Sequence, residues 1–321
     1  MNFQHLQFNL SDTSSLDAVS NKILKHLKLP LDEYSASNLH FLLKSIYELE
    51  FDVIKARGIL INDRARLYQI RSEIEQVIEN NEKSKITINF KDLPENGIDF
   101  INWWINLVKA HPVFDHQFYS VFLKDKAKHE DFRYYLAQES TLDPRFDDIL
   151  ALIQVGIPSL TAKMELASNY WDEMGNGDMS QVHSLLFKKV LDFFAVTEDF
   201  ISNNLCLEAI ISGNLSSFLA LYRANYYKAV GYFGVTEYLV PSRFKYFIKG
   251  CRRLGVKDDE VFYHKLHISI DSKHSMQWLN KVISKVAEEE DKTKIQEIVV
   301  GTLYRLNSSK QYLDYLMTRL S

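Results

Sequence analysis

His267, Asp271 and His274 follow one another at spacings of four and three residues. At 100° per residue, these positions fall within an arc of roughly 60° on one helix face. Two imidazoles and a carboxylate on one stripe suit a metal, because nitrogen and carboxylate oxygen together favour iron, manganese or zinc. The two histidine Cα atoms would lie ~10 Å apart along the axis, so they serve two metals more easily than one, with Asp271 between them. A histidine-rich solvent face, or two satisfied core histidines, would show the same spacing. The run 266–272 is poor in strong helix formers, so the ordering of residues ~264–276 is expected to depend on bound metal.

A dinuclear site needs further carboxylates from other helices. A buried carboxylate needs a partner, so acids in apolar helical surroundings are the candidates. Glu139 in FRYYLAQESTL, Glu173 in LASNYWDEMGNGD and Glu237 in YKAVGYFGVTEYLVP meet that description. A salt bridge or a helix-surface acid is the alternative for each. His183 follows Glu173 by ten residues. Gly175, Asn176 and Gly177 can break one helix there, and Asp178 with Gln181 is expected to cap the next. His264 lies at the edge of the stripe, in a pocket role or in the core. Gly231 and Gly234 precede Glu237 and either open space beside a metal or let helices pack closely. Competing chemistries lack their motifs: the chain has no HExxH, ExxH, GxGxxG, P-loop or GxSxG. Cys206 and Cys251 read as buried thiols.

These residues must be carried by helices. The chain has 321 residues, only 11 Gly and 6 Pro among them, too few for a turn-rich β architecture. Its 46% hydrophobic and 25% charged content is that of a globular protein. A net charge of -4 without a Lys/Arg run gives no reason to expect nucleic acid. The opening MNFQHLQFNLSD lacks a signal-peptide pattern, and no apolar run approaches the ~20 residues needed to cross a bilayer. Two cysteines fit a reducing compartment, so a cytoplasmic chain without a membrane partner is expected. Helical spacing runs through 15–82. KITINFKDLPENG is the one candidate strand or extended linker, which sets a boundary near residue 96: a helical extension over 1–96 and a larger helical domain over 97–321. Within that domain, helices are expected at about 98–110, 114–124, 129–154, 160–174, 179–195, 200–211, 214–240, 242–253, 258–283, 284–290, 293–305 and 308–320.

The segments NYWDEMGNGDMSQVHSLLF, GYFGVTEYLVPSRF and FYHKLHISIDSKHSMQW resemble the heme-oxygenase-like diiron oxidases and oxygenases, a family of iron-containing redox enzymes. The aromatic run ending in Glu139, with HPVFDHQFY before it, resembles the first core helices of that family. The resemblance covers roughly 98–283. It implies an all-α, heme-oxygenase-like bundle with an N-terminal helical extension that serves dimerisation in some members, and so a homodimer. The ligand set it implies for two non-heme irons is Glu139, Glu173, His183, Glu237, His267, Asp271 and His274. Heme is not implied. The resemblance further implies dioxygen as co-substrate, an external electron donor and a small-molecule substrate. Glu173 falls on an additional carboxylate position found in members that oxygenate nitrogen. An extra anionic ligand can stabilise the oxidant for attack by an amine, so Glu173 is a catalytic candidate and N-oxygenation of an amino acid or related amine is the leading expectation. Desaturation, decarboxylation or C–C cleavage of an amino or fatty acid is the alternative. A non-catalytic helical interaction protein is the alternative outside enzymes.

Overall fold

The computed structural model describes residues 29–58, 61–94, 97–289 and 291–321, together with Asp17. The opening segment read for a signal peptide lies outside the described residues. The described residues are helical and form no strand. Residues 86–89 have no regular structure and Phe90–Asp92 makes a single tight turn, so the alternating KITINF run is a linker. The chain divides into two compact units, Met1–Ile88 and Asn89–Ser321.

In the first unit, α1 (Glu33–Phe51) starts where the Asp32 side chain accepts from the Ser35 amide at 2.8 Å. This is the usual satisfaction of an orphan N-terminal donor. Helices α2 (Val53–Arg57) and α3 (Ile61–Ser84) follow. Leu39, Leu42, Leu43 and Ile46 of α1 are buried, as are Leu67, Ile70 and Ile74 of α3. The Tyr47 hydroxyl donates to buried Glu75 at 2.7 Å.

The second unit holds α4 (Gly97–Ala110), α5 (His129–Glu139), α6 (Phe146–Ile153), α7 (Leu160–Glu173), α8 (His183–Phe193), α9 (Glu198–Asn204) and α10 (Leu207–Leu221). Then come α11 (Tyr226–Arg253), α12 (Phe262–Gln277), α13 (Ser284–Glu289) and α14 (Lys292–Leu320). Two wider, π-type segments, Phe118–Lys126 and Trp278–Ile283, interrupt the regular helices. Helix α11 is the centre, packing against both α12 and α14. Its seam with α14 admits no side chain at two positions. A Cβ on Gly231 would meet the Ile298 carbonyl oxygen at 1.9 Å, and one on Gly301 would meet that of Lys228 at 1.8 Å. Gly234 is likewise filled from outside, by Trp278 and Ile283. Gly231 and Gly234 therefore serve close packing and leave no open space beside a metal. Trp104 donates to Thr302 at 2.7 Å and Trp278 donates to the Val230 carbonyl at 3.1 Å, fastening α4 and the π-type segment to this centre.

Several boundaries differ from the sequence expectation. Helix α11 runs through Pro241, where a break was expected, and the true break falls at Tyr222 to Asn225. The expected 129–154 helix is divided by a turn at Asp143–Arg145. The expected gap at 306–307 is closed: Leu306 is fully buried and the helix runs unbroken through it. Helix α12 is continuous across 266–272.

Candidate metal centre

Helix α12 presents His267, Asp271 and His274 inward, all nearly inaccessible to solvent. The ends of α7 and α8 bring Glu173 and His183 to the same interior. Gly175, Asn176 and Gly177 adopt φ of 62°, 53° and 88°, the left-handed region that stops α7. A Cβ on Gly175 would meet the Gln181 carbonyl carbon at 2.7 Å, so the reversal needs glycine. Asp178 accepts from the Ser180 amide at 2.9 Å and caps only the short turn Met179–Gln181. Helix α8 begins at His183 without a side-chain cap. Glu237 enters from α11, two turns beyond Val230.

The six side chains form two buried triads: Glu173 with His183 and His267, and Glu237 with Asp271 and His274. In each triad one ligand-type atom per residue lies within 4.8 Å of the others. Helix α12 contributes to both. In the first triad, His183 Nδ1 lies 2.8 Å from Glu173 Oε2, and His267 Nε2 lies 3.8 Å from Glu173 Oε1. The short contact is not a hydrogen bond in direction, since His183 Nδ1 has no aligned partner. His267 places its other nitrogen, Nδ1, 2.7 Å from the Tyr263 carbonyl oxygen. That oxygen only accepts, so Nδ1 carries the proton and Nε2 keeps its lone pair for the site.

In the second triad, His274 Nδ1 lies 3.9 Å from Glu237 Oε2 and 3.9 Å from Asp271 Oδ1. Its Nε2 lies 2.8 Å from Asp172 Oδ2. A carboxylate behind a histidine fixes the tautomer and raises the basicity of the inward nitrogen. Asn169 donates to Glu237 Oε1 at 3.3 Å, while Glu237 Oε2 is buried without a partner. Sequence reasoning did not identify Asp172 or Asn169, since polar residues on a surface-like helix carry no distinguishing mark. Asp172→Ala is expected to weaken divalent metal binding about 10–100-fold, the usual effect of removing such a support. Competition titration with a metal-sensitive dye reads this out; unchanged affinity would show that Asp172 does not orient His274.

Glu139 stands outside both triads. Its Oε1 accepts from the Tyr312 hydroxyl at 2.9 Å. Asp143, one helical turn further along the chain, faces the triads instead. It lines a small cleft, about 30 Å³, together with Glu173, Glu237, His267 and Asp271. The residue is half-buried, but its Oδ2 is fully enclosed and lacks a partner. In the sequence it reads as a turn former, because it precedes Pro144 in TLDPRF. His264 is buried in the core against Phe247, stacked at 3.8 Å, with Phe244 edge-on at 4.6 Å.

The electrostatics are those of too many acids in one dry space. Burial, then the charge of Glu173, pushes the Glu237 carboxyl up to about 8. Burial and then Glu237, Glu173 and Asp143 push Asp271 well above the carboxylate range. Asp143 is pushed up by burial and by Glu139 and Glu173. Burial also acts to raise Glu173, but the close approach of His183 and His267 outweighs it and holds the group at about 2. Four carboxylates, Asp143, Glu173, Glu237 and Asp271, carry -4 when ionised, and two divalent cations carry +4. The donor set therefore fits two divalent ions of the kind bound by imidazole and carboxylate.

A family model described as iron-containing redox enzyme matches residues 133–310, more than half of the 321-residue chain. The matched span includes both triads. No curated protein gives a match. Among the described residues, no single helix is long and apolar enough to cross a membrane.

Proposed function

We infer that this chain, which belongs to the iron-containing redox enzyme family, holds two irons in its paired triads and uses dioxygen to oxidise the nitrogen of a small amine or amino acid. The observation that carries the two-iron reading is the pair of buried triads sharing α12, each with orphaned donor atoms. Iron would supply electron transfer and dioxygen activation when bound. The chain supplies the rest. His267 and His274 are held in fixed tautomers by Tyr263 and Asp172. The aromatic wall of Phe244, Tyr263 and Phe146 limits water at the cleft. Glu173 stays ionised across the physiological range, so both of its oxygens remain acceptors.

Glu173 supports the choice of nitrogen. It sits between the two histidines of the first triad and faces the cleft, and the family resemblance assigns it to the additional carboxylate of N-oxygenating members. Glu173→Ala is expected to retain metal at Glu237, Asp271 and His274 while losing most of its N-oxidised product. Mass analysis of products from a panel of amines, amino acids and fatty acids, with ferrous iron, reductant and dioxygen, measures this. Wild-type protein that yields only desaturated or cleaved carbon products would overturn the nitrogen reading in favour of C–H or C–C oxidation. Undiminished N-oxidation by the Glu173 variant would remove Glu173 from it.

A further inference from the structure

Beside Asp143 lies a second buried polar cluster that the triads do not use. Glu139 ends α5 there, hydrogen-bonded by Tyr312. Arg243 of α11 is 7% exposed, with its guanidinium 5.2 Å from the ring centre of Tyr119. The ring face packs against the cation but offers nothing to its in-plane donors. Arg243 Nε and Nη2 are buried and have no hydrogen-bond partner. Arg305 of α14 donates from Nη1 to the Ser212 hydroxyl at 2.8 Å, and its Nε also lacks a partner. Guanidinium groups are permanent cations in proteins. Both lie within electrostatic range of the Glu139 carboxyl. Both cations act on Glu139 and Arg305 also acts on Asp143, yet the Arg243 donors are left over. Unpaired buried donors are costly, and charged ones more so. Arg243 in particular has two buried donors that no group among the described residues fills.

Its position indicates which anion would fill them. Thr236, Val240 and Arg243 stand at i, i+4 and i+7 of α11, along one stripe. Thr236 and Val240 line the cleft that faces the triads. Leu142 and Asp143, three and four residues after Glu139, line it too. Side chains on a helix lean towards its N-terminus, which tilts Arg243 back over Val240 and the cleft. Its Cα lies six residues beyond Glu237, ~9 Å along the axis. We propose that Arg243, backed by Arg305, binds the carboxylate of the substrate, so that the substrate is an amino acid anchored at this end of the cleft with its nitrogen towards Glu237 and Glu173. The planar fork of Arg243 suits a bidentate carboxylate. With about 30 Å³ the cleft takes only water-sized molecules, so binding an amino acid requires side chains at the Arg243 end to part. The reaction named here rests on the reading above; the anion site rests on the arginines alone.

The test is a matched titration of metal-free and ferrous-loaded protein, read by calorimetry and thermal shift. The probes are L-lysine, L-ornithine, L-arginine and acetate, against cadaverine, putrescine and agmatine, which lack the carboxylate. Carboxylate probes are expected to bind and raise the melting temperature, and the decarboxylated amines to do neither. Arg243→Met is expected to bind the carboxylate probes on the order of tenfold or more weakly. It should also melt no lower than wild type without ligand, because an uncompensated buried charge is gone. Arg243→Lys keeps the charge but loses the fork, and should fall between the two. No carboxylate-dependent binding with any probe, or wild-type affinity in both variants, overturns the proposal. A lower melting temperature for Arg243→Met with unchanged affinity in Arg243→Lys makes the arginine structural and also overturns it. Iron content separates the two readings: carboxylate binding without two bound irons would sink the diiron reading alone, and two irons without carboxylate dependence would sink this one alone.

Discussion

His267→Ala is expected to leave one iron per chain where the wild type binds two. His267 Nε2 is the α12 contribution to the triad with Glu173 and His183, and its tautomer is fixed by the Tyr263 carbonyl. Removing it leaves a carboxylate and one imidazole, too few donors to hold a ferrous ion against water. The Glu237, Asp271 and His274 triad keeps every member. Glu237→Ala should produce the complementary loss, emptying the second triad and sparing the first. Anaerobic loading with ferrous iron followed by metal analysis and Mössbauer spectroscopy reads both count and site. The double variant should bind none. Full occupancy in both single variants, or complete loss in each, would refute the assignment of one ion to each triad.

Metal-free protein should lose stability as pH rises from 7 towards 9, and metal-loaded protein should not. Glu237 ionises near 4.5 when unfolded and at about 8 when folded. Below 4.5 both states hold the proton and the group costs nothing. Between 4.5 and 8 only the folded state holds it, so stability falls with rising pH, and above 8 the loss is complete. Asp271 and Asp143 are raised for the same reason and act with the same sign. Each contributes roughly 1.4 kcal/mol per pH unit while still protonated in the folded state. Glu173 acts oppositely, but its window closes at 4.5, since it contributes stability above that value and loses it only as pH falls towards 2. His40, His264 and His274 are lowered by burial and destabilise the fold only as pH falls below about 6.5. Towards pH 9 the Cys206 and Cys251 thiols, also raised by burial, begin to add a loss of the same sign, but up to about pH 8 the acids act alone. Divalent metal replaces their protons, so its stabilising effect should grow across the same window. Thermal melts at half-unit pH steps, with and without ferrous iron under argon, measure both. Parallel profiles would mean that the acids are not the metal's counter-charges.

The α12 stripe was legible because three polar residues at helical spacing leave a periodic mark that core packing does not produce. Glu173, Glu237 and His183 were legible from their apolar neighbours and from the Gly175 to Gly177 reversal. The sequence marks Glu139 by its aromatic neighbours and gives Asp143, before Pro144, only the look of a turn former. A continuous helix over 129–154 would put both near one face, and the turn at Asp143–Arg145 is what swings one towards Tyr312 and the other towards the triads. Pro241 misled in the opposite direction. It removes one helix hydrogen bond, but apolar burial on both flanks of α11 carries the helix through. The break at 222–225 has no Gly or Pro to announce it. Helix α12 spans 264–276, and hydrogen exchange with and without ferrous iron measures how far its order depends on metal. Arg243 was invisible because an arginine in a helix reads as a surface residue until its burial is known.

The glycine seam between α11 and α14 bears on how such a catalyst could diversify. Gly231 and Gly301 let two backbones meet where even a methyl group has no room. Any larger residue at either place would push α11 outward and carry Glu237 and Arg243 with it. The cleft wall at Leu142, Phe146, Val240 and Phe244 carries no such restriction. A mutational library selected for new substrates should accumulate changes along that wall and almost none at the seam. The capacity to change what is oxidised and the incapacity to move the centre that oxidises it are then built into opposite faces of one helix.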